Sequence, residues 1–360
     1  MTGLYWSASH ARPFALSLVM GVSLIALAAS EVAHTPKKQP HLQEKMAAAE
    51  LASRAFDVVR EERLRRGIAV DPHTDPTQSG LIGSLLTPIT TDAGKLSAKQ
   101  TSVNVNFAAV VVDMLHEAGV GRGDTIAVSM TGSFPAFDIA TLCAAATMNL
   151  RTLVTVSAAS SQWGANEPNF GWLDMLKVLN AREVLNVRPL AASRGGVGDV
   201  ARGMSEDGQK LLDQAIAALG VPKLMPKSWD EGIEQRLKLY SDNARGQRLA
   251  AFINVGGGTF STGSLVGKRS FVPGVNRSQP EGMPMVNSVM QHFLNESVPV
   301  INLLQAEALA DRYGLPRTPE ARLLPGQGGV FARPSYSRFV AACGLVAIVL
   351  TMASVFRRRR

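Results

Sequence analysis

The chain has 360 residues, 46% of them hydrophobic, enough for one large domain or two small ones and too apolar for a disordered chain. Its formal charge is +8, but Arg12 and Arg357 to Arg360 flank two apolar segments, and taking these five from the 37 basic residues leaves an excess of only three over the 29 acidic ones. The region between is therefore mildly basic, which gives nucleic-acid binding little footing.

Two stretches carry no charge. Pro13 to Ser30 and Phe339 to Phe356 each meet the roughly 18-residue length of a membrane-spanning helix. The four terminal arginines, 357–360, place the tail in the cytoplasm by the positive-inside rule. If both segments span, residues 1–12 are cytoplasmic as well and the intervening domain lies outside the membrane. The small-residue run Ala26 to Ser30 also fits a signal-peptide cleavage site, so the first segment reads either as an anchor or as a cleaved leader. Either way the central domain is expected outside the cytoplasmic membrane.

Residues 31–80 read as a spacer followed by one long helix, Glu44 to Arg66, ended by Gly67. The arginines from Arg60 to Arg66 suit either lipid headgroups or a solvated helix face. Asp71 to Pro76 is turn-rich and holds His73 between two carboxylates, but the spacing matches no common metal site. The two cysteines, Cys143 and Cys343, fall in a predicted core helix and in the second apolar segment, so neither a disulfide framework nor a cysteine zinc site is expected.

From Ser102 onward helices and strands alternate. The expected strands are Thr125 to Met130, Thr152 to Val156, Glu183 to Val187, Leu249 to Val255 and Val298 to Asn302. The expected helices are Ser102 to Ala118, Phe134 to Met148, Trp172 to Asn180, Ser205 to Leu219, Trp229 to Arg245, Val286 to Asn295 and Gln305 to Tyr313. Parallel strands need such crossovers, so the fold class is α/β: a mostly parallel sheet covered by helices, over residues 81–315. Residues 316–338 read as a Pro/Gly/Arg linker into the second apolar segment, 339–356.

Parallel strands end on one side, so three loops should meet at the carboxyl edge of the sheet. The first is Thr131-Gly132-Ser133. The second runs from Ser160 through Trp163 to Asn166. The third joins Asn254 to Gly256, Gly257 and Gly258. Glycines let a backbone approach a ligand closely, and hydroxyls beside free N–H groups suit carboxylate or phosphate oxygens. Arg194, Asp199 and Arg202 add charge from a further glycine-rich segment; the arginines also read as solvated. Ser133 follows a strand as a nucleophile would, but the second glycine of G-x-S-x-G is missing and no histidine spacing marks a base. It reads as a weak catalytic candidate or as a turn hydroxyl capping the next helix. The triple glycine fits neither a dinucleotide nor a Walker loop, so no cofactor is expected.

The segments TGSFPAFDIATL, SSQWGANEPNFGWLDML and FINVGGGTFSTG, in this order between two terminal anchors, resemble the poly-gamma-glutamate system protein family over roughly Leu81 to Leu315. The resemblance implies an accessory role in making, exporting or handling poly-γ-glutamate, beside the ligase and membrane subunits of that system. It carries over no catalytic residue. Three functions stay open: a component that binds the anionic polymer or partner subunits, a hydrolase or transferase acting on it through Ser133, and a purely structural anchor.

Overall fold

The computed structural model describes residues 13–279, 281–282 and 284–357. The chain enters with helix α1 (Pro13–Val32) and strand β1 (Thr35–Lys38), then forms the long helix α2 (Leu42–Arg65). A loop over residues 66–95 leads into the short helix α3 (Leu96–Ser102) and into α4 (Phe107–Ala118). The helix expected from Ser102 begins only at Phe107: Ser102 ends α3, and in the turn between the two helices the Asn104 side chain accepts the Asn106 N–H at 3.0 Å.

The sheet begins with β2 (Thr125–Thr131), α5 (Pro135–Thr147) and β3 (Arg151–Ser157). Next come α6 (Trp172–Ala181), β4 (Ala191–Ser193), α7 (Glu206–Leu219), β5 (Lys223–Leu224) and α8 (Trp229–Ala244). β6 (Ala251–Val255) is followed by the short helices α9 (Thr259–Thr262) and α10 (Ser264–Ser270), then β7 (Gly274–Asn276). The series closes with α11 (Val289–Asn295), β8 (Val300–Leu303), α12 (Ala306–Tyr313), β9 (Ala332–Ser335) and α13 (Arg338–Arg357).

The chain is α/β, as the alternation implies. Seven strands pair in the order β5-β4-β3-β2-β6-β8-β7, all parallel except β7, which runs against β8 at the edge. The expected strand Glu183 to Val187 does not form. Residues there are held in a turn by Asn180, whose side chain bonds both the N–H and the C=O of Val187, and the strand comes later at Ala191–Ser193. Side chains of β2 alternate strictly: Ile126, Val128 and Met130 enter the larger apolar cluster, Ala127 the smaller. Both faces are covered, which is why the strand reads as a mostly apolar run.

Two compact units result. One is Pro40–Phe331, wider than the expected 81–315. α2 belongs to it because Ala48, Ala49, Ala52, Ala55, Phe56 and Val59 are buried along one helix face, against α4 and α5. Lys45 closes the other end: its ammonium pairs with Asp113 and donates to the Val330 carbonyl at 3.2 Å. The second unit holds α1, β1, β9 and α13. Its strands pair antiparallel and its helices lie side by side, a Cβ on Gly344 falling 2.9 Å from that of Ala26. Among the described residues, Arg338–Val355 is long and apolar enough to cross a membrane, with mean hydropathy 2.0; Leu16–Val32 is a shorter apolar helix.

Candidate functional site

From β2 the chain adds strands in one direction, β3, β4 and β5, then returns to place β6 on the other side of β2. That reversal makes β2/β6 the topological switch point, where adjacent crossovers diverge and leave a crevice outside the strand ends. The loops after β2 and β6 border it. Thr131 donates its hydroxyl to the Val255 carbonyl at 3.3 Å, and a Cβ on Gly256 would fall 2.2 Å from Thr131 Oγ1. Gly256 also has φ +82, so both its backbone angle and its surroundings call for glycine. Gly257 and Gly258 are half-exposed.

Over Gly257 lies Lys268 of α10: a Cβ there would meet Lys268 Cε at 2.7 Å and Nζ at 2.9 Å. The ammonium is half-buried and has no carboxylate partner among the described residues. The sequence reading stopped at the glycines; Lys268 comes eleven residues after Gly257 and only the turn back of α9 and α10 brings it there.

The loop after β3 meets the loop after β2 on the other side of Ser133. Ser161 donates its N–H to Ser133 Oγ at 3.1 Å, and Ala165 donates to the Gly132 carbonyl at 2.8 Å. Gly164 is pressed into this junction, with the position of a Cβ 2.2 Å from Ser160 Oγ and 2.7 Å from the Ser133 carbonyl. Ser160 is buried and donates to the Ser161 carbonyl. A segment from Gly83 to Gly94 zips along this loop: Thr91 donates to the Ser160 carbonyl at 2.8 Å and Gln162 to that of Asp92 at 2.9 Å.

Beneath the junction is a lysine that periodicity could not mark. Lys99, on α3, is 3% exposed. Its Nζ donates to the Ser133 carbonyl and, at 3.1 Å, to Ser161 Oγ, and lies 3.6 Å from the centre of the Phe134 ring. Burial pulls its pKa down to about 7, opposed by the charge of Asp138. Asp138 sits in the first turn of α5, fully buried, and neither carboxylate oxygen has a hydrogen-bond partner among the described residues. Burial drives its pKa well above the usual carboxylate range, and Lys99 pulls the other way.

The remaining sequence candidates divide. Asn166 is buried as a brace: its amide donates to Ser84 C=O at 2.7 Å and Thr90 Oγ1 at 2.9 Å, and its oxygen accepts the Ser84 N–H. Asn254 is buried as well, donating to Asn302 Oδ1 and the Gly256 carbonyl. Trp163 is half-buried with φ +63. Arg194 is taken up by both oxygens of Asp213 at 2.6–2.7 Å and by Gln209, and Asp199 is buried against Arg236. Arg202 is exposed. Asp75, in the turn-rich segment, accepts from Thr77, Ser79 and Gly80, so its carboxylate holds the loop rather than facing His73. Away from this edge His41, Glu44 and His116 lie within 4.8 Å of one another; the two rings stack at 3.5 Å and Glu44 bonds His116 at 2.7 Å.

In comparison with known proteins, the chain matches no family model, no curated protein and no solved structure.

Proposed function

We propose that the chain is a membrane-anchored accessory component of a poly-γ-glutamate system and that Pro40–Phe331 binds the anionic polymer at the carboxyl edge of its sheet. The pathway rests on the resemblance of three segments that supply the loops of this edge. The binding reading is carried by one observation: the ammonium of Lys268 over Gly257, at the switch point, with no carboxylate partner among the described residues. A carboxylate needs such a cation beside open backbone and hydroxyls, and the Ser133 side chain borders the same glycine loop, its Cβ 3.8 Å from the Cβ position of Gly256. Polymer presented by ligase and membrane subunits outside the membrane would reach this edge if α1 and α13 both span, with the arginine tail inside.

The binding test uses the full chain in lipid nanodiscs and poly-γ-glutamate of defined length. Lys268→Gln should weaken binding about tenfold or more, since a charged hydrogen bond contributes roughly 1.5–3 kcal/mol. Added salt should weaken the wild type more than the variant. No affinity in the wild type would reject the polymer reading. Orientation is tested separately in a Cys343→Ser background. A membrane-impermeant thiol reagent applied to intact cells should label Lys227→Cys, which is exposed, and spare a cysteine appended after Arg360. Labelling of the appended cysteine alone would reverse the topology.

A further inference from the structure

Lys99 and Ser161 have the placement of a base and its nucleophile. As a neutral amine, Lys99 has two N–H bonds and one lone pair, and its Nζ has three neighbours. The Ser133 carbonyl takes one hydrogen and the face of Phe134 the other, leaving the lone pair for the Ser161 hydroxyl at 3.1 Å. The ammonium form has a third hydrogen, which Ser161 Oγ accepts. Both protonation states are therefore accommodated without moving an atom, as a group that takes and returns a proton requires. Ser161 stands at the rim, 9% exposed, while Lys99 is sealed beneath it.

We infer that Ser161 and Lys99 form a nucleophile–base pair for acyl chemistry on an amide carbonyl held at the sheet edge. In this step Ser161 Oγ bonds to the carbonyl carbon and its proton passes to Lys99 Nζ. Lys99 then gives that proton to the departing nitrogen as the C–N bond breaks, leaving an ester on Ser161. Water attacks the ester, its proton going to Lys99 and on to Ser161 Oγ as the acid leaves. The sum is amide plus water to acid plus amine. An amine in place of water gives transfer. The substrate, a γ-glutamyl amide of the polymer, rests on the reading above; the pair itself does not.

Two further features favour the chemistry. The thirteen-residue helix α5 opens at Pro135, two residues after Ser133, so its positive end lies next to the loop that Ser161 bonds and would favour negative charge developing there. Asp138 is the charged group acting on Lys99, from α5; Lys95 of the α3 cap and Glu307 of α12 pair with each other at the surface. With burial holding Lys99 near neutrality, the amine form becomes available as pH rises through about 7.

The test is a fluorophosphonate carrying a fluorophore, applied to the full chain in nanodiscs, with the labelled peptide located by mass spectrometry. The label should fall on Ser161, and its rate should rise with pH to a plateau, with a midpoint near 7. Lys99→Arg should reduce the rate at least a hundredfold, and Ser161→Ala should abolish the label. If either variant misfolds, the site and pH profile of the wild-type label still decide. Failure of the wild type to label, or a label on another residue, overturns the pair. Poly-γ-glutamate should slow labelling; a Ser161 label indifferent to the polymer keeps the pair and rejects the substrate.

Discussion

Lys99 Nζ lies 3.1 Å from Ser161 Oγ although the residues are 62 positions apart, one on a short helix and the other in the loop after a core strand. A buried lysine is costly to charge, so this contact has a thermodynamic signature. The unfolded chain keeps the Lys99 proton up to its ordinary pKa of 10.5, whereas the folded chain releases it near 7. Between those values the unfolded state holds more protons, so stability rises with pH. Lys99→Met removes that contribution. The difference in denaturation midpoint between variant and wild type should favour the variant most at pH 7 and below and shrink steadily toward pH 10. A difference that stays constant across this range would contradict the buried cation.

Gly164 is the wedge point of the site. Its Cβ position falls within 2.2–2.8 Å of Ser160 Oγ and the carbonyls of Ser133 and Gly132. Two of these are backbone and cannot swing aside. Gly164→Ala should therefore cost about 1–3 kcal/mol by overpacking and displace the Ser133 carbonyl from Lys99. Chemical denaturation gives the cost, and fluorophosphonate labelling of the folded fraction should fall with it. Unchanged stability would show that the loops after β2 and β3 yield freely.

Asp199 and Arg236 test a structural assignment. Both are about 96–97% buried and paired, and Arg236 also donates to the Gly232 carbonyl at 2.7 Å. Arg236→Met strands a buried carboxylate and should cost about 3–5 kcal/mol. Asp199→Asn in the same chain should recover part of that loss, because the stranded charge is gone. If the double variant is no more stable than the single one, the pair does not carry the loop.

The two glycines at the switch point should respond differently. Gly257→Val meets only the flexible end of Lys268, so the domain should fold while the ammonium is pushed off the loop and polymer binding falls. Gly256→Val meets Thr131 and demands a left-handed backbone, which alone costs about 1–2 kcal/mol. Thermal unfolding should separate them: a near-normal transition for the first and a clearly lowered one for the second.

The sheet was largely legible because buried parallel strands announce themselves. Thr125–Thr131 and Ala251–Val255 are buried, mostly apolar runs followed by glycine, and Ser133, Ser160 and Gly257 do share one edge. What escaped was set by tertiary contacts. β4 has three residues and β5 two, too short for any period, and β7 is an antiparallel edge strand after a proline. Lys99 lies in the polar run Ser97 to Asn106, where nothing in composition separates a buried cation from a solvated one. Lys268 had the same anonymity. Conversely, Arg194 and Asn166 looked available because their partners, Asp213 and Ser84, lie far along the chain.

The most direct test of a polymer site at this edge is a crystal structure of the full chain with a γ-linked glutamate oligomer at a concentration that saturates binding. The oligomer should lie across Gly256 to Gly258 toward Ser161, with one side-group carboxylate on Lys268 Nζ and a backbone amide carbonyl within reach of Ser161 Oγ. An ordered oligomer on another face, or an edge left empty at saturation, would contradict the account.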